Sequence, residues 1–94
     1  MNESEKDFME KWDLSPGEII YISPKVKRIW RKHLSGWRSY EEANKWLQPG
    51  QRCLVMLAGA FERVYITTAT YIVDGTFVVD SDIRNMYIMR FIPI

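Results

Sequence analysis

The chain has 94 residues, 47% of them hydrophobic, a formal net charge of +1 and a single cysteine. That length allows one domain with one modest core. The lone Cys53 excludes an internal disulfide and suits a reducing compartment, and no apolar run approaches the roughly 18–20 residues of a membrane span. The charged opening Met1-Asn2-Glu3-Ser4-Glu5-Lys6-Asp7 is unlike a signal peptide, so a cytoplasmic protein is expected.

The balanced total hides a segregation. Residues 1–18 carry six acids against Lys6 and Lys11, whereas residues 24–38 carry six bases and no acid. The chain divides into an acidic N-terminal helix or mobile arm over 1–14 and an α+β core over 15–94.

In chain order, Ser4 with Asp7 predicts a short capped helix whose Phe8, Met9 and Trp12 share one side. Ser15-Pro16-Gly17 marks a turn, and the β-branched run from Glu18 to Ile22 predicts a strand. Ser23-Pro24 is a strong helix start. Over 25–34, Val26, Ile29, Trp30, His33 and Leu34 fill one arc of a helical wheel. Lys25, Lys27, Arg28, Arg31 and Lys32 fill the other. Ser35-Gly36 ends that helix.

Ser39 with Glu42 predicts a second capped helix, with Tyr40, Ala43, Trp46 and Leu47 on one face and Glu41, Glu42, Asn44 and Lys45 opposite. Gln48-Pro49-Gly50 stops it.

The remainder reads as sheet. Cys53 to Ala58 is apolar on both faces and predicts a central strand, followed by a loose turn at Gly59-Ala60-Phe61. Val64 to Val73 predicts the next, and Asp74-Gly75 is the strongest hairpin signal in the chain, because a type I′ turn needs positive φ. Thr76 to Val79 follows, then a polar loop at Asp80-Ser81-Asp82, one helical turn at Ile83-Arg84-Asn85, and a last strand from Met86 to Ile92. Alternation places Tyr65, Thr67, Ala69 and Tyr71 on one face, and Tyr87, Met89 and Phe91 on another. The expected fold is α+β: an antiparallel meander of about five strands, open or partly closed as a small barrel, packed by the two central helices and preceded by the short N-terminal one. In outline this resembles SH3-like and PUA-like small barrels, a likeness that implies no function.

Catalytic sets are missing. The five glycines are scattered, which rules out a phosphate-cradling loop, and one His with one Cys rules out the usual zinc spacings. A Cys53–His33 pair is opposed by the apolar surroundings of Cys53, which keep a thiol inert. His33 reads as a hydrogen-bonded boundary residue before a pH-responsive one. Asp74, Asp80 and Asp82 read as solvated turns before a cation site, because the later Glu of a calcium loop is missing. No enzyme activity, cofactor, metal or small-molecule substrate is expected.

Two binding readings remain. Four Trp, five Tyr and five Met are residue types enriched in interface cores. They favour an interaction domain that binds a protein partner or a second copy of itself, in the manner of a regulator or inhibitor of a larger assembly. If both sheet faces carry large apolar residues and helices cover only one, the other becomes the patch for that partner. The alternative is a nucleic-acid binder using Lys25, Lys27, Arg28, Arg31, Lys32 and Arg38, with Trp37 stacking on a base. The pI of about 7.8 speaks against it, since dedicated binders often exceed about 9. The acidic first helix could also fold back and neutralise the basic one.

Overall fold

A computed structural model describes residues 2–14, 20–59, 63–81 and 86–94. The elements are α1 (Asn2–Lys11), β1 (Ile20–Tyr21), α2 (Pro24–Trp30), β2 (Arg38–Ser39), a 3-10 turn (Tyr40–Glu42), α3 (Ala43–Trp46), β3 (Arg52–Gly59), β4 (Val64–Tyr71), β5 (Phe77–Val79) and β6 (Met86–Pro93). The Ser15-Pro16-Gly17, Ala60-Phe61 and Asp82 to Asn85 readings lie outside the described residues.

The fold is α+β, as expected, but the strands do not form a meander. Five of them pair antiparallel in the order β2-β6-β3-β4-β5. The short β1 lies parallel to the start of β4, on the same edge that β5 occupies further along. The last strand therefore crosses back to pair with β3 instead of β5. The cause is visible in β3. Cys53 through Leu57 are all buried, and a strand apolar on both faces is stable only in the middle of a sheet. With β4 on one side of β3, the long apolar β6 fills the other.

Each sheet face has its own core. Leu54, Met56, Val64, Ile66 and Ile92 point toward α1 and α2, where Phe8, Leu14, Val26, Trp30 and Trp37 meet them. Phe8 is the keystone: its ring sits edge-on to Trp30 at 5.3 Å and to Trp37 at 5.4 Å. Cys53, Val55, Leu57, Ala69, Tyr71 and Phe91 point the other way, toward Ala43 and Leu47.

Local chemistry sets the element ends. The helix α1 begins at Asn2, so Ser4 lies within its first turn, past the capping position. At its other end the Leu14 amide donates to the Met9 carbonyl at 2.8 Å and the Asp13 amide to that of Glu10 at 3.2 Å, with Asp13 at φ +57. This is the Schellman closure, with Asp13 where glycine is usual. The cap of α2 is as predicted: the Ser23 hydroxyl accepts from the Val26 amide at 3.2 Å. The helix is shorter than 25–34, however. Beyond Trp30 the chain tightens, Lys32 bonding Ile29 and His33 bonding Trp30, so the last turn has three-residue spacing. Ser39 makes no capping bond, and the helix predicted from there is a 3-10 turn followed by one turn of α3. That tighter start rotates the pattern. Ala43 and Leu47 are buried, whereas Tyr40 and Trp46 are exposed.

The sheet curls but does not close into a barrel. Three strand spacings of about 4.8 Å would hold β5 and β6 roughly 14 Å apart in a flat sheet. The Phe77 and Phe91 rings lie 6.3 Å apart, so the two rims lean toward each other over the face that carries Val55 and Leu57. Among the described residues no ladder joins β5 to β6.

Candidate functional site

The basic helix is the first place to look. Val26 and Trp30 are buried, and Ile29 and Leu34 pack against the same core, so the cations of α2 turn outward as the wheel predicts. Lys25, Arg28, Arg31 and Lys32 are exposed and Lys27 is half-buried. The acidic first helix does reach this face: Arg31 Nε donates to Glu5 at 2.7 Å. Among the described residues that is the one ion pair made by the six cations.

Two residues leave the predicted basic site. Trp37 is 6% exposed, packed on Phe8, with its indole N–H donating to the His33 carbonyl at 2.7 Å. A ring spent on the core cannot stack on a base. Arg38 has its guanidinium 3.6 Å from the Trp46 ring, a cation–π contact at the far edge strand β2. What remains is a convex patch of five cations on and just beyond a seven-residue helix, without the aromatic that base stacking needs.

The candidate catalytic pair is not assembled. Cys53 is in the core on the α3 side of the sheet, whereas His33 follows α2 on the opposite side. Burial pushes the Cys53 thiol up to about 12, which leaves no thiolate near neutral pH. The ring Nδ1 of His33 is 3.0 Å from the Ile29 carbonyl, the local partner expected of a boundary histidine. Asp80 is tied to Arg52 and Thr68, and these bonds, helped by the Lys25 charge, hold its carboxyl below the usual range. Asp82 is outside the described residues, and among those described no cluster of three metal-ligating side chains occurs.

The concave face is the more developed site. A cavity of about 720 Å³ opens between β5 and β6. Leu57 forms its floor, Phe77 and Val79 one wall, and Met86 and Ile88 the other. Glu41 brings a negative charge to its rim.

One end of this groove is fixed by hydrogen bonds. Asp74 and Gly75 have φ of +51 and +78, as the predicted hairpin requires. Tyr40 donates to the Gly75 carbonyl at 2.7 Å, and the Asn44 side-chain oxygen accepts both from the Gly75 amide at 3.1 Å and from the Tyr71 hydroxyl. The hairpin tip is thereby tied to the segment preceding β3, and the rim carrying Phe77 is held over the floor.

A β-bulge shapes the other wall. Arg90 lies opposite Met56 but Ile88 lies opposite Leu57, so Met89 is an extra residue. Beyond it the alternation reverses. Phe91 joins the concave side with Met86 and Ile88, and Arg90 turns to the helix side, its guanidinium 4.2 Å from the Trp12 ring. The predicted shared face of Tyr87, Met89 and Phe91 is broken by this one residue.

Comparisons with protein-family models, with curated proteins and with solved structures find no match. No described helix is long and apolar enough to cross a membrane.

Proposed function

We propose that the chain is a non-enzymatic interaction domain whose partner surface is the open concave face of its sheet. The observation that carries this reading is an uncovered groove with an apolar floor and walls and a partly polar rim. Helices α1 and α2 cover one sheet face, but α3 is only a single turn and leaves Leu57, Phe77, Val79, Met86 and Ile88 lining open space. Apolar walls left open to solvent by a pinned hairpin are the kind of surface that marks an interaction site. The Tyr40 ring at its border is of the type that anchors protein interfaces.

Affinity capture from the source cell tests this with three baits: the native chain, a groove variant carrying Val79→Asp, and a helix variant carrying Lys25→Glu and Arg28→Glu. The groove variant is expected to lose the specific partner and the helix variant to keep it. Equal recovery by the native and groove baits would remove the groove from the account.

The nucleic-acid reading keeps one supporting observation, the exposed Lys25, Arg28 and Lys32, which make no ion pair among the described residues. Without Trp37 it predicts weak, sequence-blind binding with a steep salt dependence. A mobility shift that disappears in the helix variant would support it, and no shift at micromolar protein in low salt ends it.

A further inference from the structure

Asp74-Gly75 is the one place in the sequence where an aspartate or asparagine precedes glycine. Glycine puts no side chain between its own amide nitrogen and the carboxyl of the residue before it. This is therefore the peptide bond at which a neighbouring carboxyl reaches the backbone most easily. The fold sets the pair at the tip of the β4–β5 hairpin, with Asp74 exposed. Backbone bonds close the turn around it: the Thr76 amide donates to the Val73 carbonyl at 2.9 Å and the Ile72 amide to the Thr76 carbonyl at 2.8 Å. The Gly75 amide itself faces two acceptors, Asn44 Oδ1 at 3.1 Å and the Tyr71 hydroxyl at 3.3 Å.

We propose that Asp74 is a site of spontaneous conversion to isoaspartate, and that Asn44 and Tyr71 guard it. In this reaction the Gly75 nitrogen attacks Cγ of Asp74. A nitrogen–Cγ bond forms, the amide proton leaves with the carboxyl hydroxyl as water, and a cyclic imide results. Water then adds to one of the two ring carbonyl carbons. Addition at Cγ breaks the new bond and restores aspartate. Addition at the former backbone carbonyl breaks the original peptide bond and leaves the chain running through Cβ and Cγ. The only co-reactant is water. The attacking nitrogen must give up its proton and face Cγ. In the native hairpin that proton is donated to Asn44, and Asp74 is fixed at φ +51 by the closed turn. The reactive geometry is reached only when the tip opens locally. Conversion lengthens the backbone between Asp74 and Gly75 by one carbon, and the length of a tight turn sets the register of its strands. The Gly75 carbonyl and amide then cannot both stay where Tyr40 and Asn44 meet them, so the rim carrying Phe77 is released. None of this depends on what binds in the groove.

The test is peptide mapping of the full chain after prolonged incubation at physiological temperature and neutral pH. Isoaspartate has the mass of aspartate but elutes apart and gives its own fragments under electron-transfer dissociation, so chromatography with that fragmentation counts it. The native chain is expected to convert at least tenfold more slowly than the same chain in guanidinium chloride. Asn44→Ala with Tyr71→Phe removes both acceptors and keeps the Tyr71 ring in the core. It is expected to convert about two- to tenfold faster than the native chain, the factor that one hydrogen bond is worth. The separated isoaspartyl chain is expected to exchange the Gly75 amide faster and to unfold at a lower temperature. Circular dichroism shows whether the double variant is folded. If it is not, the native-against-denatured rates and the isoaspartyl chain decide without it. Equal rates in native buffer and in denaturant would overturn the proposal, as would a folded double variant no faster than the native chain. No isoaspartate at position 74 in denaturant would remove the site altogether. An isoaspartyl chain with native stability and native Gly75 exchange would overturn its link to the rim.

Discussion

Replacing Gly75 by alanine tests how the groove is held open. Gly75 has φ +78, where a side chain costs about 1–2 kcal/mol. An added Cβ would also lie 2.7 Å from the Tyr40 hydroxyl and 3.3 Å from Cζ, inside contact distance. Tyr40 must then move, and its bond to the Gly75 carbonyl, worth about 0.5–1.5 kcal/mol, is lost. The expected destabilisation is about 1.5–3.5 kcal/mol, which lowers Tm by roughly 6–28 °C in a domain of this size. Gly50 provides the control. It has φ +88 but open space around the same added atom, so Gly50→Ala measures the backbone strain alone. Urea denaturation followed by tryptophan fluorescence gives both values, and Tyr40→Phe completes a double-mutant cycle. Tyr40→Phe should cost about 0.5–1.5 kcal/mol in the native background and close to nothing in the Gly75→Ala background. Equal losses for Gly75→Ala and Gly50→Ala, with additive Tyr40→Phe, would refute the pinned hairpin.

Four further outcomes follow from the same contacts. Phe8→Ala removes a ring 2% exposed between two tryptophans and should cost about 3–5 kcal/mol by chemical denaturation, a large share of the stability of a chain this small. Asp13→Gly should stabilise by about 0.5–1 kcal/mol, because φ +57 suits glycine at the Schellman position. Cys53 should resist alkylation near pH 8 in the native chain and react in denaturant, since burial keeps its proton on. The lowered Asp80 carboxyl contributes stability that is present above the unfolded pKa of about 3.9 and is lost as pH falls through its lower folded value. The Arg52–Asp80 pair is nearly half exposed, so screening limits the effect to about 0.5 kcal/mol. Asp80→Asn should flatten that acid limb of the stability curve.

Local signals carried much of this fold. Ser23-Pro24 caps α2, Asp74-Gly75 turns the hairpin, and the apolar run from Cys53 marks the central strand, because each is decided by residues within a few positions. The long-range pairing was not legible. Whether β6 joins β5 or β3 depends on which edge of a doubly apolar strand stays open, and nothing in Met86 to Ile92 states it. The Met89 bulge is equally silent in the sequence, yet it decides which side of the sheet Phe91 and Arg90 take. For the site, the segregated charge drew attention to α2, where the outward cations are real but Trp37 is core. The groove had a weaker signal, large apolar residues on both sheet faces with helices enough for one. Only the fold showed which face stays open.

The claim on which the account turns is that the concave face, and not the basic helix, meets the partner. Methyl spectra of the labelled chain with the captured partner decide it. Leu57, Val79, Met86 and Ile88 resonances should shift on binding while Val26 and Leu34, under the basic helix, stay fixed. Shifts confined to Val26 and Leu34, with the groove methyls unmoved, would contradict it.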